Sequence, residues 1–414
     1  MQAFFKKKCY NTVMENIELE IIDYGYNGEG VSKKNGKVFF LPKTIVGEKV
    51  EAEIVKANSK FSFCRLLKIV DASSKRKLPP CPYYHICGGC NFQHISYDAE
   101  LEIKKAILQR EISKVRENVR IEVVKNKAEY AYRNKVRFKV KDRKVGFYEE
   151  KSNKFIEIKN CLLISIEMNA YIEKINEFLS VSKYKFDEVI IHSFEGEMLL
   201  DFLTSQNAEL GELKNFFSCR VMLNHRGENI ITESLGLRYE FSGDSFRQVN
   251  DYIAEKIYNE VLEKVDGKVV LNAFSGAGVL SAMIAKKAQR VYGIELNQNA
   301  HNCAESLKFI NNIDNLTNIC GYAEVEIERI TDNLDYVIVD PPRAGCAKEF
   351  LVCVLSKEIP SLIYISCNPA TLVRDLKILL HKYDIEDVKI YDMFSRTANM
   401  EVVIHLKLKC LTKS

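Results

Sequence analysis

The chain has no run of eighteen apolar residues among its 414, so no bilayer-spanning helix is expected. Its opening, Met1-Gln2-Ala3-Phe4-Phe5-Lys6-Lys7-Lys8, lacks the apolar core and cleavage site of a secretory leader, and the expectation is a cytoplasmic protein with no membrane partner. Internal repeats and low-complexity tracts are also missing. So is a strong overall charge, since 60 Lys/Arg stand against 56 Asp/Glu and leave only +4. The 13 cysteines are odd in number and irregularly spaced. That excludes a secreted disulfide framework and favours reduced thiols and metal ligation. The length exceeds one ordinary core and implies two or three domains.

The small net charge hides a local surplus. Residues 72–160 carry 21 Lys/Arg against 11 Asp/Glu, whereas 161–240 carry 7 against 13. Within the basic stretch, Tyr130-Ala131-Tyr132-Arg133-Asn134-Lys135-Val136-Arg137-Phe138-Lys139-Val140-Lys141 alternates with period two. A strand here has Arg133, Lys135, Arg137, Lys139 and Lys141 on one face and Val136, Phe138 and Val140 on the other. Such a ladder repels itself unless an anion lies opposite, so a nucleic-acid backbone is the favoured partner. Ion pairing with Glu149, Glu150 and Glu157 on a solvated face is the alternative.

Short alternating runs from Ile17 to about Ile69, separated by Gly, Asn and Pro turns, predict a small all-β barrel. The stretch Tyr24-Gly25-Tyr26-Asn27-Gly28-Glu29-Gly30-Val31, with Phe40-Leu41-Pro42 and Val46-Gly47-Glu48, resembles the TRAM domain, which implies an OB-like, RNA-binding barrel over residues 14–72.

Cys81-Pro-Tyr-Tyr-His-Ile-Cys87-Gly-Gly-Cys90 places three thiols within ten residues, with glycines that let the backbone wrap a bound group. A tetrahedral site or a cubane needs a fourth ligand, and Cys161 is the best-placed candidate. Zinc is the competing occupant, with His85 or His94 able to serve. The C-x3-C-x2-C of radical enzymes is absent. The acidic segment up to residue 240 completes a central α+β domain, 73–240.

From about residue 241 apolar strand-like runs alternate with amphipathic helical stretches, which predicts a parallel doubly wound sheet over 241–414. Asn272-Ala273-Phe274-Ser275-Gly276-Ala277-Gly278 follows the first strand, and Glu295 ends the next, where a carboxylate can accept from both ribose hydroxyls. Ser281 stands where a dinucleotide fingerprint needs its third glycine, so S-adenosylmethionine fits better than NAD. In Asp340-Pro341-Pro342-Arg343 an arginine stands where amine methyltransferases typically carry an aromatic. Chemistry at a ring carbon is favoured instead. A pyrimidine carbon becomes nucleophilic once a thiolate adds to its ring neighbour, and Cys367, in Tyr364-Ile365-Ser366-Cys367-Asn368-Pro369, is a thiol at a strand end. A general base must then remove the ring proton, and Glu401 is the candidate.

These motifs, together with Gln248-Val249-Asn250 and Ser366-Cys367-Asn368-Pro369-Ala370-Thr371-Leu372, resemble the RNA uracil-5-methyltransferases of the RumA/TrmA type along the whole chain. The likeness is greatest to the iron-sulfur bacterial enzymes acting on 23S ribosomal RNA. The resemblance implies an α/β Rossmann-like S-adenosylmethionine methyltransferase domain behind the TRAM barrel, and a central α+β domain carrying an iron-sulfur cluster. It implies that Cys81, Cys87, Cys90 and Cys161 hold a [4Fe-4S] cluster. Gln248, Phe274, Glu295 and Asp340 would contact S-adenosylmethionine, Cys367 would be the nucleophile and Glu401 the base. The expected activity is methylation of carbon 5 of a uridine in 23S ribosomal RNA by a monomer; transfer RNA, or a catalytically inactive RNA-binding homologue, is the alternative. The chain departs from the pattern where Asn272 replaces an Asp, Arg247 an aromatic and Tyr322 a polar residue near the adenine, which predicts altered cofactor affinity, and where residues 394–401 lack the usual Pro and His but keep the spacing of Thr397 and Glu401.

Overall fold

The computed structural model describes residues 16–410 except 151, 195–196, 228–229 and 242–246. Positions 14 and 15, where the expected barrel starts, therefore lie outside the described residues. The chain forms two compact units, one reaching to Ile107 and including Arg396–Ala398, the other comprising Leu108–Ser395 and the chain from Asn399 onward.

The first unit holds strands β1 (Asn16–Glu20), β2 (Asp23–Tyr24), β3 (Gly30–Lys34), β4 (Lys37–Leu41), β5 (Lys49–Ala57) and β6 (Phe61–Asp71), in the sheet order β1-β5-β6-β4-β3-β2. Leu19, Ile21, Phe39, Leu41, Val50, Ala52 and Cys64 fill its core. The β5–β6 register shifts three times, and such bulges bend and twist a sheet, as a small barrel requires. Buried Glu48 anchors the following loop: Arg76 donates to it from Nε at 2.7 Å and Nη2 at 2.6 Å. Farther on, Glu100 and Lys104 form a fully buried ion pair at 2.8 Å. Glu100 also accepts from the Arg396 amide at 2.8 Å, and the Arg396 carbonyl accepts from Asn91 N–H at 2.9 Å. Arg396 takes up this position at φ 67°, in the left-handed region that non-glycine residues seldom occupy.

The second unit contains β7 (Glu122–Val124), β8 (Lys135–Lys141), β9 (Lys144–Tyr148), β10 (Phe155–Glu157), β11 (Glu188–Phe194), β12 (Glu197–Leu203), β13 (Arg220–Leu223) and β14 (Arg226–Gly227). After them come the hairpin β15 (Ile230–Ser234) and β16 (Leu237–Phe241), then β17 (Val269–Ala273), β18 (Arg290–Glu295), β19 (Leu316–Cys320), β20 (Tyr336–Val339), β21 (Ser361–Ser366), β22 (Tyr383–Tyr391) and β23 (Glu401–Leu408). One sheet has the order β10-β9-β8-β11-β12-β13-β14 and another β19-β18-β17-β20-β21-β23-β22-β7. In the latter, β19 to β21 run parallel, as their continuous apolar runs predict, while β23 inserts antiparallel between β21 and β22. The edge strand β7 comes from far upstream and pairs parallel with β22.

Candidate active site

In an open parallel sheet, ligands gather beyond the carboxyl ends of the strands. Ala273 pairs with Val339 and Ile294, and Val339 with Tyr364, so the next residues, Phe274, Glu295, Asp340 and those after β21, emerge along one edge. Strand β23 brings its amino end to the same edge. Ser366 pairs with Val402, and continuing that antiparallel register by one residue sets Cys367 opposite Glu401.

The turn after β17 is shaped for close approach. Phe274 adopts φ 62°, a strained conformation for a bulky residue. Gly276 and Gly278 follow at φ 56° and 80°. A Cβ at Gly278 would lie 2.7 Å from that of Ala304, whereas beside Gly276 the space within 4 Å is open. Gly276 N–H donates to Glu295 Oε2 at 2.9 Å and Asn297 N–H to Oε1 at 2.7 Å. Each oxygen keeps capacity for a hydroxyl donor. A cavity opens here, lined by Phe274, Ser275, Gly276, Gln248, Tyr258 and Asp340 among others. Asn272, also in its wall, is buried and donates to Ser281 Oγ at 2.8 Å, so the neutral side chain replaces an expected carboxylate without losing a partner. Tyr322 is exposed, just before the helix Ala323–Arg329.

Electrostatics single out Cys367, Glu401 and Asp340. Burial pushes the Cys367 thiol up, as do the negative Glu401 and Asp340, while the Arg343 guanidinium pulls it down. Glu401 is raised well above the usual carboxylate range by burial and then by Asp340, and Asp340 is itself raised by burial. Two sheltered carboxyl groups that each disfavour ionisation of the other are an arrangement that proton-transfer chemistry uses. Asn368 accepts from Ala370 N–H at 3.1 Å as N-cap of the helix Pro369–Leu379 and donates to the Arg343 carbonyl at 2.9 Å; Thr371 Oγ donates to that carbonyl at 3.2 Å. The acidic turn and the cysteine turn are thereby joined.

Residues that motif reading passed over complete the setting. Tyr258 lines the cavity within the field of Asp340 and Glu401. Asn134, upstream of β8, donates to the Gln248 carbonyl at 2.9 Å and to Asp251 Oδ1 at 2.8 Å. Only the assembled sheet could show it, because 114 residues separate Asn134 from Gln248.

The three clustered cysteines lie in a half-buried loop. Gly89 N–H donates to Cys87 Sγ at 3.4 Å, and the amides of Tyr83 and Tyr84 lower the Cys81 thiol against the larger, opposing effect of burial. Such N–H···S bonds suit thiolate ligands of a soft metal group. Among the described residues no cluster of three or more His, Cys, Asp or Glu side chains is gathered tightly enough to hold a metal ion. Cys161 belongs to the second unit, its peptide clamped by Asn169, which accepts from its N–H at 2.8 Å and donates to its carbonyl at 3.0 Å. His94 is unsuited to zinc: Nδ1 meets the Tyr84 hydroxyl at 2.6 Å, the Thr44 backbone bonds the ring, and burial pushes the imidazole down to about 3.

On the basic strand, Glu188 of β11 binds Arg137 at 3.0 Å and also Lys139, so a neighbouring strand neutralises part of the ladder. In the first unit Phe40, Phe61 and Phe63 form a partly exposed aromatic cluster, with ring centroids 5.5 to 6.1 Å apart.

The glycine-bearing turn, the strand-end carboxylate and the parallel sheet are those of the S-adenosylmethionine-dependent methyltransferase class. Residues 223–409 match the profile of the tRNA (uracil-5-)-methyltransferase family and residues 11–67 that of the TRAM domain. An RNA methyltransferase of Listeria innocua is 31% identical over 447 residues, covering 95% of this chain and 98% of its own. One from Staphylococcus aureus is 31% identical over 445 residues, covering 94% and 97%. The crystal structure of Pyrococcus abyssi tRNA (uracil-54, C5)-methyltransferase with S-adenosyl-L-homocysteine superimposes with a TM-score of 0.78 at 25% identity, covering 94% of this chain and all of that one. The chain belongs to the RNA uracil-5-methyltransferase family. No described helix is long and apolar enough to cross a membrane.

Proposed function

We propose that the protein methylates carbon 5 of a specific uridine in 23S ribosomal RNA through a covalent adduct with Cys367. The observation that carries this reading is the register setting Cys367 opposite Glu401 beside Asp340, at the edge where the cofactor turn lies. Cys367 gives up its proton to solvent and its sulfur adds to carbon 6 of the ring, moving electron density to carbon 5 and the neighbouring carbonyl oxygen. Arg343, whose charge favours the thiolate, lies within the field of the same site. Gln248, Phe274, Glu295 and Asp340 would hold S-adenosylmethionine, which when bound would supply the methyl group to carbon 5 and leave as S-adenosylhomocysteine. Glu401 then takes the proton left on carbon 5, the carbon 4–carbon 5 enolate re-forms, and the carbon–sulfur bond breaks to release the Cys367 thiolate. A base extruded from a loop is the form of substrate such a pocket admits. The Phe40, Phe61 and Phe63 cluster offers rings for base stacking, and the part of the basic ladder beyond Glu188's reach offers phosphate contacts.

Cys81, Cys87, Cys90 and Cys161 are proposed to ligate a [4Fe-4S] cluster with a structural and RNA-positioning role, supported by the thiol density and the N–H···S bonds. Iron and sulfide analysis of anaerobically purified protein tests this; stoichiometric zinc in a colourless protein would overturn it. Transfer RNA is the second reading, favoured by the archaeal structural relative, itself a tRNA enzyme. Comparing 5-methyluridine in ribosomal and transfer RNA from cells with and without the gene decides between them. Loss confined to 23S RNA is expected, and loss confined to transfer RNA would refute the ribosomal target.

A further inference from the structure

Arg247 is one of the positions that depart from the family pattern, and its surroundings show a built site. Its guanidinium stacks over the Phe194 ring at 4.8 Å, donates from Nη1 to the Ser193 carbonyl at 2.7 Å, and from Nη2 to Asp251 Oδ2 at 2.7 Å. Asp251 is itself fixed by Asn134 at 2.8 Å. The side chain is only 12% exposed, yet it lines the cavity beside Gln248. A planar fork held by an aromatic face, a carbonyl and a carboxylate is preorganised, and two of its five N–H donors account for the two hydrogen bonds.

The charge of the cavity wall gives this arginine a purpose. Among the described lining residues it is the sole Lys or Arg, against the acidic Glu240, Asp251 and Asp340. S-adenosylmethionine carries two positive groups, the sulfonium and the α-ammonium, which acidic walls suit. It also carries one negative group, the α-carboxylate, which they repel. We infer that Arg247 binds the α-carboxylate of the cofactor's amino-acid moiety and so selects for cofactors that retain it. On this reading the substitution of an aromatic by Arg is a gain in recognition rather than a weakening of the site.

The inference rests on S-adenosylmethionine as cofactor, and the test separates the two. Calorimetric affinities of S-adenosylhomocysteine and its decarboxylated analogue are measured for wild type, Arg247→Met and Arg247→Lys, with thermal melting as the check on folding. Wild type should favour the carboxylated ligand. Arg247→Met should weaken it by about 10–100-fold, as loss of a charge-assisted bidentate contact does, and leave the analogue within about 2-fold. Arg247→Lys should retain part of the preference. Equal weakening of both ligands would make Arg247 a packing residue, and an unchanged preference would remove it from the site; either result overturns the inference. Failure of wild type to bind either ligand would instead refute the cofactor assignment on which it stands.

Discussion

Cys367 and Glu401 show how one residue's environment both enables and burdens the site. The thiol is raised chiefly by burial and the carboxyl chiefly by burial and then by Asp340, so the site disfavours the ionised form of each. In their proposed roles as nucleophile and base both groups must give up a proton, and methylation should therefore accelerate as pH rises above neutrality. A profile falling over that interval would contradict their roles. The same shift bears on stability. A carboxyl raised in the folded state binds more protons than in the unfolded chain, so its contribution is lost as pH climbs from the ordinary carboxylate range toward the folded value. Glu401→Gln removes that cost. It should raise stability at neutral pH by about 0.5–2 kcal/mol while halting turnover after methyl transfer, so that the RNA adduct accumulates. Unchanged melting together with full turnover would deny Glu401 its role. Much of this was legible in the sequence, because strand-end positions can be read from apolar runs. The Asp340–Glu401 interaction was not, since it depends on how β20 and β23 are ordered.

At the scale of elements, insertion of β23 beside β21 is what brings the proposed nucleophile and base together. That sheet is secured by Glu260, on the helix Asp251–Leu262, which meets His405 of β23 at 2.7 Å and, on β22, Lys389 at 3.0 Å and the Tyr391 hydroxyl. Burial opposes the ionised Glu260, but the close His405 ring and the hydrogen bonds from Tyr391 and Lys389 prevail and hold it down to about 2. Its stabilising contribution is complete above the unfolded value of 4.5 and is lost as pH falls toward 2. Glu260→Ala should cost about 3–5 kcal/mol, the range for breaking a buried charge network, and denaturant titration at neutral pH measures it. A loss below about 1 kcal/mol would show the network to be incidental. Sequence reading could identify each strand but not this network, because residues 260, 389, 391 and 405 become neighbours only through the antiparallel insertion. For the same reason Glu188 could not be read as a partner of the basic ladder: it arrives on β11, remote in sequence from Arg137.

At the scale of the molecule, the first unit supplies a TRAM domain and the second a methyltransferase sheet. The division between them does not follow chain order, because Arg396–Ala398, only three residues before Glu401, belong with the first unit. Buried Glu100, paired with Lys104, holds the Arg396 amide there. Local patterning announced the TRAM segment and the doubly wound sheet, since both rest on hydrophobic periodicity and turn chemistry. It could not announce that a short downstream segment returns to the first unit, nor that the edge strand β7 comes from before residue 241.

The central claim is that Cys367 adds covalently to a uracil ring and that Glu401 must remove a proton before it can leave. RNA carrying 5-fluorouridine at the target tests this most directly, because fluorine cannot depart as the carbon 5 proton does. Denaturing mass spectrometry of protein incubated with S-adenosylmethionine and the fluorinated RNA should show a stable protein–RNA adduct bearing one added methyl group, mapped to Cys367 and absent in Cys367→Ala. No adduct from wild-type protein that binds the RNA, or an adduct that survives Cys367→Ala, would contradict the account.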